Sequence, residues 1–289
     1  MSIERIAGHE RLAQIIAELG IGSGPIWIKV NWTSPHRGMY TTPEVLESLL
    51  SVLPRPVIIA EGHSVGRLLI PLKDLPEDES AAREVVREGD RAFLNSTNME
   101  RILDMTGVGY FNVTEAVWAG EIAPPGVVER AVKQRFGALE FPELLSVVPR
   151  ALYRAHANVT LINLARMKVP KYDDGDWSLA LKNMFGLIPD PYRIEYHRRG
   201  LAEAIFDINR VYRSLFRVVD IVEGLESVVV YSDDGELKAP WGRYDLREDT
   251  GLLAWGEEPA ALEREIAAHF GRDLSKRRLT QLAEGAFEV

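Results

Sequence analysis

The sequence predicts an α/β fold, a mostly parallel, helix-flanked sheet in a single large domain. Three observations carry that expectation. Strand-like runs at 26–32, 57–60, 159–164 and 217–222 are almost continuously apolar, the pattern of strands covered on both faces. Amphipathic helical stretches lie between them, the clearest at 201–215, where Ile205, Ile208, Val211 and Tyr212 form one stripe. No repeat or low-complexity linker divides the 289 residues, and a hydrophobic content of 46% is ample for a continuous core.

The elements follow in order. Leu12, Ile15, Ile16 and Leu19 stand at helical spacing, and Gly20 with Gly22 ends that helix. The strand at 26–32 runs into a polar loop, after which Thr42 caps a helix with Pro43 in its tolerant first turn. The strand at 57–60 completes a βαβ unit whose crossover should be right-handed. Residues 73–95, with Pro76, Glu77, Asp78, Glu79 and Glu88, read as a charged insertion ending in a solvated helix. Residues 81–155 are mainly helical around a short strand near Tyr110 to Val113. Further strands at 228–231 and 252–255 and helices at 258–270 and 274–285 form a divergent C-terminal part.

Composition removes several classes of function. With 34 basic against 43 acidic residues the net charge is −9, which speaks against a nucleic-acid partner, because backbone binding needs excess cations. The absence of cysteine excludes disulfides, thiolate metal sites, iron–sulfur clusters and cysteine nucleophiles. No run approaches bilayer length and the N-terminal residues lack an apolar core with a cleavage site, so no membrane contact and a cytoplasmic location are expected. The glycine fingerprints of dinucleotide enzymes, P-loop NTPases and serine hydrolases are also missing.

Candidate site residues gather where strands end. Lys29 and Asn31 share a strand face, and a lysine among Trp27, Ile28 and Val30 is costly to bury unless something pairs with it. It either snorkels or meets a structural carboxylate, or it contacts an anion beside the helix N-terminus at Thr42. After the second strand, Glu61, His63 and Arg67 occupy a glycine-containing turn, the place where open α/β sheets bind ligands. Histidine has a reference pKa near neutrality, which makes His63 a candidate proton carrier, against the plainer role of a structural hydrogen-bonder.

The densest basic cluster comprises Arg166, Lys168, Lys171, Lys182, Arg193, His197, Arg198 and Arg199. Asp173, Asp174 and Asp176 offer internal neutralisation; the alternative is a pocket for a phosphate- or carboxylate-bearing metabolite, with Lys182 and Asn183 on the helix after Lys168. Asp207, Asp220 and Glu223 are expected at the same rim. Asp220 lies inside a strand and needs a cation, a hydroxyl or a divalent metal, an ion pair with Lys182 or Lys168 being the ordinary outcome.

Lys29-Val30-Asn31, Thr42-Pro43-Glu44-Val45, Leu161-Ile162-Asn163-Leu164 with Lys168, and above all Lys182-Asn183-Met184-Phe185-Gly186-Leu187 resemble the domain of unknown function 362 family. Tyr196-His197, Asp207 and Val219-Asp220 follow in the family order, so the resemblance covers residues 25–225, and 253–271 is similar to a faded form of its last strand and helix. It implies an α/β fold with a site at the strand ends and no settled activity. Some members are joined to iron–sulfur ferredoxin modules, so in a chain without cysteine any redox module would be a separate partner. This chain departs from the family's Pro-Lys-x-Lys-Thr-His pattern with Ala165-Arg166-Met167-Lys168-Val169-Pro170, losing a histidine, and an expected aspartate appears as Glu263.

The resulting expectation is an enzyme acting on a small anionic metabolite. Lys29, Asn31, Thr42, Arg166, Lys168, Lys182, Asn183 and Asp220 would hold the ligand, and His63, His197 or Glu61 would move a proton. The alternative is a non-catalytic metabolite- or cofactor-binding accessory protein, which the histidine lost at Pro170 favours. No cofactor is specified beyond the option of a divalent metal. Self-association as a homo-oligomer through Trp241, Tyr244 and Trp255 competes with the packing of those aromatics in the C-terminal part.

Overall fold

Parallel strands buried on both faces need helices above and below them, and the chain supplies both. The computed structural model describes residues 2–6, 9–22, 24–155, 158–171, 177–189, 193–248 and 250–287. Its first third contains β1 (Ser2–Arg5), α1 (His9–Glu18), β2 (Ile26–Lys29), α2 (Pro43–Val52), β3 (Val57–Glu61) and α3 (Glu79–Ser96). The middle contains α4 (Met99–Thr106), β4 (Gly109–Asn112), α5 (Val113–Trp118), α6 (Pro125–Phe136), α7 (Arg150–Ala155), β5 (Thr160–Arg166) and β6 (Lys168–Val169). Then follow α8 (Ala180–Asn183), α9 (Arg193–Arg199), α10 (Leu201–Leu215), β7 (Arg217–Gly224), β8 (Ser227–Tyr231), β9 (Leu237–Ala239) and β10 (Gly242–Glu248). The last elements are β11 (Leu252–Gly256), α11 (Pro259–His269) and α12 (Arg278–Ala283).

The main sheet has seven strands in the order β1-β11-β7-β5-β2-β3-β4. The five from β7 to β4 are parallel, and β11 joins β7 antiparallel with β1 outside it. One face packs on α1, α2 and α4 through Ile15, Leu46, Leu49 and Ile102. The other packs on α6, α10 and α12 through Val128, Ile205, Ile208 and Leu279. The fold is therefore the expected α/β architecture.

A second sheet, β6-β8-β10-β9, stands at the end where the parallel strands finish. Sequence alone did not separate it: the run at 228–231 leaves the main sheet and pairs with β6 and β10. β2 is also shorter than its apolar run, because Asn31 donates its backbone N–H to the Thr41 hydroxyl and Trp32 bridges Tyr40, turning the chain off the sheet. The segment expected to be solvated forms α3, capped by Asp78. Its outer face carries exposed Glu84 and Glu88, but Val86, Gly89, Asp90 and Phe93 are buried and Phe93 packs on Trp32 and Tyr40.

Strand register explains why a site forms at this end. Trp27, Leu161 and Val218 lie side by side across β2, β5 and β7 on the α10 face, and all are core residues. Two residues on, the same face carries Lys29, Asn163 and Asp220 in one row. The apolar core thus gives way to polar groups as the strands end.

Asp220 finds a partner other than the one expected. Instead of Lys182 or Lys168, Arg213 of α10 donates two bonds to its carboxylate at 2.8 and 2.7 Å, and Asn163 donates a third at 2.8 Å. Burial still pushes the Asp220 carboxyl above its ordinary value, with Arg213 opposing that shift. Removing one side of a buried pair strands the other, so Arg213→Met should cost about 3–5 kcal/mol at pH 7 in urea denaturation. Without the guanidinium, Asp220 takes up a proton in the native state before the unfolded chain does. The loss should therefore shrink as pH falls from 7 to 5.

Candidate functional site

A cavity of about 500 Å³ opens between the strand ends and the second sheet. Its lining draws Lys29 and Asn31 from β2 and its exit, Glu61 from β3, Lys168 from β6, Lys182 and Asn183 from α8, and Arg193 and His197 from α9. Residues more than 150 positions apart thereby meet at one rim. Among the described residues the lining carries Lys29, Lys168, Lys171, Lys182 and Arg193 against the single carboxylate of Glu61. Asp173, Asp174 and Asp176, considered as internal neutralisers, lie outside the described residues.

Lys29 is 1% exposed, and its ammonium is solvated by protein. It donates to the Val30 carbonyl at 2.6 Å, to Glu61 Oε2 at 3.0 Å and to Asn183 Oδ1 at 3.4 Å. Burial pushes its pKa down, and Glu61 opposes that shift. Glu61 is fully engaged: Oε2 also accepts from the Trp32 backbone and Oε1 from the Gly62 backbone. A carboxylate so bonded holds the lysine and the strand ends together, and is poorly placed to carry protons.

Lys168 is different. It is 4% exposed, lines the cavity, and donates to Asn31 Oδ1 at 2.7 Å and to Ser178 Oγ at 3.5 Å. Burial pushes its amine down to about 7, with the Arg166 and Lys182 cations adding to the shift. The amine can therefore gain or lose a proton near neutrality, a property usually sought in histidine.

Three asparagines link this lysine to the core. Asn31 Nδ2 donates to Asn183 Oδ1 at 3.0 Å, Asn183 Nδ2 donates to Asn163 Oδ1 at 2.8 Å, and Asn163 Nδ2 donates to Asp220 Oδ1 at 2.8 Å. The chain begins at the Lys168 ammonium and ends at a carboxylate. α8 is held over it by Glu263, whose carboxylate accepts from the Leu181 backbone at 2.7 Å and pairs with Arg277.

Several expected site residues lie elsewhere. Arg166 is locked to Glu223, the Gly38 carbonyl and Ser227, tying the 33–41 loop to the second sheet instead of facing a ligand. Thr42 caps α2 and donates to Glu226 outside the cavity lining. Asp220 lies behind Asn163, and Asp207 accepts from Arg210 and the Glu140 and Phe141 backbones, so neither faces the rim. His63 sits on the β4 side among Glu115, Asp90 and Asn112, with Nε2 2.9 Å from Glu115, and does not line the cavity. Of the expected proton carriers, Glu61 and His197 do line it, the latter with its ring edge-on to Phe185.

The sequence reading missed the far wall. Tyr231 and Trp241 of the second sheet region line the cavity, and Trp241 is 43% exposed, not packed away like Tyr244 and Trp255. Only the register of β8 against β6 could have brought these aromatics to Lys168. Among the described residues no group of three or more His, Asp or Glu side chains is arranged to hold a metal ion, and no helix is long and apolar enough to cross a membrane.

The fold and cavity define a mostly parallel α/β protein with a cation-lined site at its strand ends. The model of the family described as Domain of unknown function (DUF362) matches residues 26–268, and the chain belongs to that family. No curated protein matches it. A crystal structure of a Thermotoga maritima protein is similar at 11% identity with a TM-score of 0.36, over 99% of this chain and 61% of that one. The chain thus spans about three fifths of the length of that solved protein.

Gly186 tests the built character of the site. A Cβ there would stand 2.7 Å from Lys29 Nζ and 2.8 Å from Glu61 Oε1, so Gly186→Ala must spread the buried pair. A loss of about 1–3 kcal/mol in the unfolding free energy measured with urea is expected, with Gly22→Ala, whose Cβ would meet nothing within 4 Å, as the neutral control.

Proposed function

We propose that the cavity binds a small phosphate- or carboxylate-bearing metabolite and that the protein is an enzyme acting on it. The observation that carries the reading is the convergence of Lys29, Lys168, Lys182 and Arg193 on one partly open cavity, where a dielectric below that of bulk water strengthens their hold on an anion. Lys29, fixed by Glu61 and Asn183, supplies a rigid positive potential. Lys168 and Lys182 meet the ligand's charge, and Lys168 or His197 moves a proton. Glu61 acts as the anchor of Lys29, and His63 has no part in the proton transfer.

The accessory reading, binding without turnover, is favoured by Pro170, which lines the cavity where the resembling family carries a histidine. The two readings share the ligand and differ in whether it is changed. Incubating purified protein with a metabolite that raises its melting temperature, and following that compound by mass, separates them.

Binding should depend on pH with a defined sign. As pH rises through about 7 the Lys168 ammonium loses its proton, so affinity for acetate, which is ionised throughout this range, should fall between pH 6 and pH 8. The expected loss is up to roughly tenfold per pH unit above that value if this charge is obligatory. Lys168→Met should flatten the profile, and Lys182→Ala should weaken binding by at least about tenfold at either pH with the fold intact by circular dichroism. Calorimetric titration checks all three; affinity independent of both lysines would overturn the reading.

A further inference from the structure

The cavity has two unlike walls. One carries the cations already described. The other is built from the second sheet region and is aromatic: Tyr231 at the end of β8 and Trp241 in the turn between β9 and β10. Trp241 stands out among the described residues as one of only four large hydrophobic side chains with substantial exposure, and the only one of them that lines the cavity.

Its position is fixed. The indole Nε1–H donates to the Tyr231 hydroxyl at 2.8 Å, and Tyr231 in turn packs against Tyr244. The ring edge lies over Gly66, where an added Cβ would approach the indole to 3.1 Å and the Thr33 carbonyl to 2.5 Å. Any larger residue at 66 would displace the ring. A large apolar side chain that is held by a hydrogen bond at its polar edge, lines a cavity and is 43% exposed offers a prepared surface for stacking.

The distance to the cations suits one molecule. Lys168 pairs in register with Val229, and Tyr231 is two residues further along the same strand face. At roughly 3.3 Å per residue the tyrosine stands roughly 7 Å beyond Lys168 along the sheet. A head held by the Lys168 amine and a ring held by the aromatic wall therefore lie within the reach of one small molecule. A cavity of about 500 Å³ has room for such a compound.

We propose that the ligand of this site is an anion bearing a planar, unsaturated ring, and that Trp241 with Tyr231 forms the wall that selects for the ring. The inference rests on the anion reading above and deepens it. The cations hold the head and the indole stacks on the ring, so an anion without a ring uses half of the cavity.

Four probes sharing a phosphate head test this: inorganic phosphate, phenyl phosphate, cyclohexyl phosphate and adenosine monophosphate, with acetate and benzoate repeating the comparison for a carboxylate head. Phenyl phosphate, adenosine monophosphate or benzoate should bind at least about tenfold more tightly than its ringless counterpart, a stacking increment of ordinary size, and cyclohexyl phosphate should gain less. In Trp241→Leu the ratio of ring-bearing to ringless affinity should fall close to one, while Trp241→Phe should keep most of it. Equal binding of ring-bearing and ringless anions, or a ratio unchanged in Trp241→Leu, overturns the ring proposal and leaves the anion reading standing. If no probe binds at all, both fall.

Discussion

A lysine ammonium at the end of a buried strand has to be solvated by something other than water, and the architecture around this site follows from how that is done. Lys168 donates to Asn31, Asn31 to Asn183, Asn183 to Asn163, and Asn163 to Asp220. Each amide accepts on its oxygen and donates from its nitrogen in the same sense. A positive charge at one end and a negative charge at the other polarise every bond between them, so the chain is stronger than its members taken singly. Arg213 then balances Asp220 and anchors α10 to the sheet.

This constraint ties distant parts of the chain together. β6, the exit of β2, α8, β5, β7 and α10 each contribute one member, so the polar chain forms only when β2, β5 and β7 are in register and both helices are docked. It also separates two kinds of buried cation. Arg166 and Arg213 are neutralised by bidentate carboxylates and are structural. Lys168 has an amide oxygen and a hydroxyl as its hydrogen-bonding partners, and its depressed pKa is the mark of a charge that the fold tolerates without fully compensating. An anion bound as proposed would stabilise such a group further and link the cost of its burial to ligand binding.

The second sheet gives the site its other property. Four short strands would serve poorly as an independent core, and Met39, Val229, Ala239 and Tyr244 form only a small apolar cluster beneath them. The sheet is held to the main body by Arg166, which reaches from β5 to Ser227 and to the Gly38 carbonyl. It closes one side of the cavity and sets Tyr231 and Trp241 opposite the cations. The membership of the chain in a family described only as a domain of unknown function leaves this geometry as the basis for a functional reading.

Much of the architecture was determined by local sequence. Apolar runs bounded by turn residues marked β2, β3, β5 and β7, and the stripe at 201–215 marked α10, because strand and helix periods are properties of a few consecutive residues. The polar residues Lys29, Asn31, Lys168, Lys182 and Asn183 were legible for a related reason: a charged or amide side chain inside or just after an apolar strand has few places to go. Which of them face the cavity was decided by the tertiary structure. Asp220 could have met any of several cations, and the docking angle of α10 chose Arg213; Arg166 and Lys168 differ by two positions, yet one is sealed between sheets and the other opens on the site. The Trp241 wall was invisible in the sequence because it depends on strand pairing between segments far apart, and no local pattern records where a second sheet will fold back.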